Sequence, residues 1–155
     1  NIVSFVSAYR RSGLPVIFTR HAFLPEEDPG ILGKWWRDVL RDGDECGELD
    51  PRLTPSEGEL VLRKNRYSAF TNPMLEKFLK RNEMSQLVIT GVMTHLCCES
   101  TARDAFMRDF EVYFVVDATA TDDEELHCAT LQTLSNGFAV PVSTAEMLGK
   151  VGARR

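Results

Sequence analysis

The 155-residue chain is 43% hydrophobic and 26% charged, with a formal net charge of −5. That length fits one domain with a core of its own, and the acidic balance excludes a basic footprint for nucleic acid or an anionic membrane surface. No run reaches the roughly 18 apolar residues of a membrane span, NIVSFVSAYRRSG lacks the order of a signal peptide, and four cysteines without CxxC spacing read as free thiols in a reducing, cytoplasmic setting.

Ile2, Val3, Phe5, Val6 and Tyr9 recur at helical spacing, and Gly13 ends the run before Leu14-Pro15-Val16-Ile17-Phe18, which reads as a buried strand. From about Thr19 to Thr54 the chain is loop-like, with one short helix predicted around Ile31 to Leu40; so long a segment inside a domain is usually functional or mobile. Leu60-Val61-Leu62 predicts a strand, Asn72-Pro73 a cap and first turn leading into MLEKFLKRN, and Gln86 to Thr90 a further strand. His95 to Phe110 has helical character, Val112 to Val116 is an apolar strand, Asp122 to Ser135 a helix stopped by Asn136-Gly137, and Phe138 to Val142 a last short strand. This alternation predicts one α/β domain over residues 1–155, with a mostly parallel sheet covered by helices on both faces.

Sites in such folds form beyond the carboxyl ends of the strands, where loops lead into helix N-termini. GVMTHLCCES, Gly91 to Ser100, lies at such a place and carries two adjacent thiols. A helix N-terminus favours thiolate, the nucleophilic form. If Thr94 or His95 caps the helix, Cys97 falls in its first turn, while Cys98 points about a hundred degrees away. The ordinary fate of a lone cysteine is a small buried hydrophobe, so a second chemical element is needed. Lys64 supplies one, because it ends the Leu60 strand on the same carboxyl edge. A Cys/His pair with His95, His21 or His127 is less favoured: His95 is two residues from Cys97, which points the side chains apart on a helix, and no His-x-His or His-x-x-x-His spacing suggests a metal. Glu26, Glu27 and Asp28 read as a solvated charge run.

TGVMTHLCCESTARDAFMRD, preceded by KNRYSAF and followed by VYFVVDATAT, resembles the isochorismatase-like cysteine hydrolase superfamily, which includes nicotinamidases, N-carbamoylsarcosine amidases and isochorismatases. The resemblance runs from Leu14 to Leu148. It implies a three-layer, Rossmann-like αβα fold and an Asp–Lys–Cys triad in which Cys97 is the nucleophile and Lys64 the lysine. It also implies a cis peptide at Val92–Met93, with the Met93 and Cys97 N–H groups forming an oxyanion hole, and acyl transfer on an amide or related carbonyl without a cofactor. Arg66, Tyr67 and Phe70, just after Lys64, are candidates for lining the pocket, Arg66 by pairing with a substrate carboxylate. Trp35 and Trp36 fall where the family places a substrate-covering or subunit-contact segment, and a homo-oligomer acting on a small molecule is expected.

Two departures qualify that pattern. The family's first strand, with its Asp in a segment like LLVIDMQNDF, has no counterpart in this sequence, which opens in the helix that follows; the expectation is a longer protein, or a separate segment that supplies strand and base. Asp117 matches the family's own Asp-Ala and reads as structural, and Asp104 lies too far into its helix to replace the base. FTRHAFLPEED lacks the Asp-x-His metal set of nicotinamidases, which disfavours that substrate. KNRYSAF and DAFMRD are closest to true isochorismatases, which have Gly where Cys97 stands. A thiol amidase is the leading reading, with vinyl-ether hydrolysis or a non-catalytic binding protein as alternatives.

Overall fold

A computed structural model describes residues 1–152. Helices and strands alternate as α1 (Ile2–Arg11), β1 (Ile17–His21), α2 (Ile31–Trp36), β2 (Leu60–Lys64), α3 (Pro73–Arg81), β3 (Gln86–Val92), α4 (Glu99–Phe106), β4 (Glu111–Ala120), α5 (Glu124–Gly137), β5 (Val140–Val142) and α6 (Thr144–Gly152). Every ladder is parallel, as the strand–helix alternation requires. β1 pairs with β2, and β3, β4 and β5 form a second sheet in that order. The described residues contain no ladder between the two sheets, so β1 and β3 each keep an edge without a strand partner.

The local chemistry explains most element boundaries. Asn72 caps α3 by accepting from the Met74 N–H at 3.0 Å, with Pro73 in the first turn where a missing N–H costs nothing. Asp123 caps α5 by accepting from the Leu126 N–H at 2.9 Å. The first strand begins at Ile17 rather than Leu14, because the ladder starts at Ile17 opposite Leu60 and Pro15 has no N–H to donate. α2 ends at Trp36, four residues short of the expected Leu40, where Arg37 turns to φ 63°. Past it, 3-10 turns at Glu45–Gly47 and Pro51–Leu53 break up the long connection. β4 runs on to Ala120, and α6 is an element that strand and helix periodicity did not predict. Its signature is a capping box: the Ser143 N–H donates to Glu146 at 2.8 Å while the Glu146 N–H donates to Ser143 Oγ at 3.2 Å.

One core cluster spans both sheets. Leu62 from β2, Ile89 from β3 and Val112 and Phe114 from β4 pack with Leu75, Leu79, Ala102, Ala105 and Leu134 from the helices. Burying each large side chain of this kind contributes about 1.5–3 kcal/mol. A smaller cluster on the other side joins Phe5 of α1 to Val115, Val142 and Met147. The sheets are therefore held in one body by helix packing, and their carboxyl ends meet at Lys64 and the turn after β3.

Candidate active site

Lys64 is the last residue of β2 and is only 5% exposed. A buried ammonium is costly unless its donors find partners. Its Nζ donates to the Arg66 carbonyl at 3.1 Å and to Cys97 Sγ at 3.0 Å, a reach of 33 residues across the two sheets. Among the described residues no carboxylate lies within 4.0 Å of it. A cation touching sulfur stabilises negative charge there.

The two thiols occupy different surroundings. Cys97 is half-buried, whereas Cys98 is 5% exposed within the main core and packs beside Gly91. Burial pushes the Cys98 thiol up to about 12; the neighbouring Cys97 adds to the rise and Lys64 opposes it. Gly91 holds φ 124°, a conformation side chains rarely adopt, and the Val92–Met93 peptide that follows is cis. The helix expected from His95 begins as a π-helical turn, Thr94–Cys98, and becomes α-helical only at Glu99.

Thr94 does not cap this turn. Its side chain is fully buried, with Oγ1 3.0 Å from His127 Nδ1, and Met93 occupies the cap position without a side-chain bond. His95 is engaged on α5's leading edge, its Nδ1 2.9 Å from Thr121 Oγ1.

The KNRYSAF segment is tied to the same turn. The Thr101 hydroxyl donates to the Cys97 carbonyl at 2.7 Å and accepts from the Ala69 N–H at 3.0 Å. Ser68 donates to Asp104 at 2.6 Å and accepts from the Phe70 N–H, and Asp104 also pairs with Arg108. Asp104 is thus spent on joining the Lys64 loop to α4. Asp117 holds α6, accepting from the Thr144 N–H at 2.7 Å and its hydroxyl at 2.8 Å.

The other candidates divide. Trp36 Nε1 donates to the Tyr67 hydroxyl at 2.6 Å, so α2 leans on the loop after Lys64. Arg66 lies over the Phe23 ring, 5.6 Å from its centroid, with Nη1 on the Asn65 carbonyl. Phe70 sits in the main core, between Phe110 and the Arg108 guanidinium, and Trp35 is 74% exposed on the surface of α2. Glu27 is no solvated loop residue: it pairs with Arg63 at 2.8 Å and accepts from Asn65 at 3.1 Å, and the Arg63 bonds hold it below the usual carboxylate range.

His21, disfavoured as a thiol partner, lies beside Lys64. It stands opposite Lys64 in the β1–β2 ladder, edge-on to Phe23, and its buried Nδ1 has no hydrogen-bond partner among the described residues. Burial and then the Lys64 charge push its ring toward the neutral form, against the pull of the Arg66 carbonyl.

A family model described as the isochorismatase domain matches residues 1–146. The chain belongs to the isochorismatase family. Nicotinamidase 3 of Arabidopsis thaliana is 42% identical over 145 residues, which cover 90% of this chain and 72% of that protein. Enterobactin synthase component B of Escherichia coli is 36% identical over 149 residues, 96% of this chain and 52% of the relative, so the chain spans about half of that protein's length. The crystal structure of a cysteine hydrolase from Pseudomonas syringae pv. phaseolicola superposes with a TM-score of 0.92 over 99% of this chain and 79% of that one; at 24% identity it shows the shared isochorismatase fold.

A nicotinamidase is among the similar proteins, yet the segment Phe18–Asp28 carries no Asp-x-His set, and the described residues contain no group of three or more His, Cys, Asp or Glu placed to hold a metal ion.

Proposed function

We propose that this isochorismatase-family chain is a cysteine hydrolase acting on an amide or related C–N bond of a small molecule. The observation that carries the reading is the 3.0 Å contact between the buried Lys64 ammonium and Cys97 Sγ at the carboxyl ends of the strands. Cys97 attacks the carbonyl carbon as thiolate and the C–N bond breaks with a proton delivered to the leaving nitrogen. Water then hydrolyses the thioester to the acid and the free thiol. Lys64 stabilises the sulfur anion, and the Met93 and Cys97 N–H groups hold the oxyanion, where one lost donor typically costs about 10²–10³ in rate. Asp104 and Asp117 are engaged with Ser68 and Arg108 and with Thr144, so neither serves as the general base. Trp36 and Tyr67, joined by their hydrogen bond, form one wall for the substrate, and Arg66 meets a substrate carboxylate.

The test is turnover of nicotinamide, N-carbamoylsarcosine and isochorismate by the full-length protein and its Cys97→Ala variant. Amide hydrolysis lost in the variant is expected. A second reading, vinyl-ether hydrolysis, draws on KNRYSAF and on the 36% identity to enterobactin synthase component B. Full activity of Cys97→Ala on isochorismate would establish it and overturn the first.

A further inference from the structure

We propose that His127 is a positioning residue for the Cys97 turn, acting through the Thr94 hydroxyl; this rests on the reading of Cys97 as nucleophile. A π-helical turn replaces the i to i−4 ladder with i to i−5 bonds, here from the Cys98 N–H to the Met93 carbonyl at 3.2 Å, so side-chain contacts from neighbouring elements add to what holds its register. Thr94 opens the turn, three residues after Gly91 with its φ of 124° and directly after the cis Val92–Met93 peptide. Its hydroxyl is fully buried and meets His127 Nδ1 at 3.0 Å.

His127 is itself well placed to act as an anchor. It lies in the first turn of α5, where its N–H donates to the Asp123 carbonyl and Asp123 caps the helix through Leu126. One turn further on, Thr130 donates to Glu99 Oε2 at 2.9 Å. Thr121, just ahead of α5, meets His95 at 2.9 Å. The segment from Thr121 to Thr130 thus grips the turn at its start, next to its start and just past its end, and the His127 contact holds Thr94, the residue that follows Met93. Without it the buried Thr94 hydroxyl must turn to seek another partner, and Cys97 moves with it relative to Lys64.

The test uses iodoacetamide on the native full-length protein, following Cys97 by peptide mass spectrometry against exposed Cys46 as internal standard. Asn sets an amide close to the place of Nδ1, whereas Gln reaches toward Nε2. One hydrogen bond lost is expected to slow Cys97 labelling about tenfold in His127→Ala and His127→Gln, with His127→Asn within about twofold of wild type. Thr94→Val should match His127→Ala, and the double variant should be no slower than either. Wild-type rates in all three His127 variants, rescue by Gln equal to rescue by Asn, or additive losses would overturn the proposal. Should the His127 variants fail to fold, Thr94→Ser against Thr94→Val decides: equal rates overturn it, and a slow Val with a normal Ser supports it. If Cys97 in the wild type labels no faster than Cys46, the nucleophile reading falls too; a fast Cys97 indifferent to His127 sinks this inference alone.

Discussion

Replacing Lys64 by Met asks whether the contact with Cys97 is one between charges. Met keeps an unbranched, flexible stem while removing the ammonium. A hydrogen bond to a charged group contributes about 1.5–3 kcal/mol, and each 1.4 kcal/mol is tenfold, so alkylation of Cys97 by iodoacetamide at pH 7 should slow about ten- to a hundredfold. Two internal controls come with the chain. Cys46 and Cys128 are exposed and should keep their wild-type rates. Cys98, pushed up to about 12 by burial, should stay unlabelled while the fold is intact, since against an ordinary thiol near 8.5 its thiolate population is lower by about 10³. Stopped-time labelling followed by peptide mass spectrometry resolves all four thiols. A Lys64→Met protein with a native circular dichroism spectrum and an unchanged Cys97 rate would refute the argument, because the 3.0 Å geometry would then carry no charge stabilisation. Labelling of Cys98 as fast as Cys128 would instead refute the burial argument that separates the pair.

Three further outcomes follow from the same geometry. Asp117→Ala leaves the Thr144 N–H and hydroxyl without their acceptor and should cost about 1–3 kcal/mol in urea unfolding. The Asp117 carboxyl is raised by burial but lowered more by those Thr144 bonds, so its contribution is present above about pH 4 and lost as pH falls; acid loss should be smaller in the variant. His21 is held toward neutral by burial and by Lys64, so the folded state binds its proton less readily than the unfolded chain. Stability should therefore fall as pH drops below about 6.5, and His21→Gln should flatten that slope; equal urea midpoints from pH 7 to pH 5 in the wild type would contradict it. Gly91→Ala meets only Cys98 Sγ, at 3.9 Å, so space is not the obstacle. Its φ of 124° is, and a thermal melt should show a loss on the order of 1–3 kcal/mol.

How much of this was legible in the sequence depends on whether a signal is local. Asn72-Pro73 and the parallel α/β alternation are patterns within a few residues, and the structure follows them. The Ser143-x-x-Glu146 box was equally local and marks α6, though apolar spacing alone passed over it. The π-helical turn was not legible, because the side chains that brace it lie far along the chain: Thr94 to His127 is 33 residues and His95 to Thr121 is 26. A histidine on an acidic helix such as α5 looks in sequence like any solvated one. Lys64 and Cys97 are also 33 residues apart, yet each ends or follows a strand, and parallel strands deliver their carboxyl ends to one edge. That rule carries no statement about which side chains lie beneath the edge, so it left out His21, whose position shows only in the ladder register with Lys64. Chemistry on this fold is therefore readable from sequence where topology converges, while the side chains that steady it are readable only once the register is known.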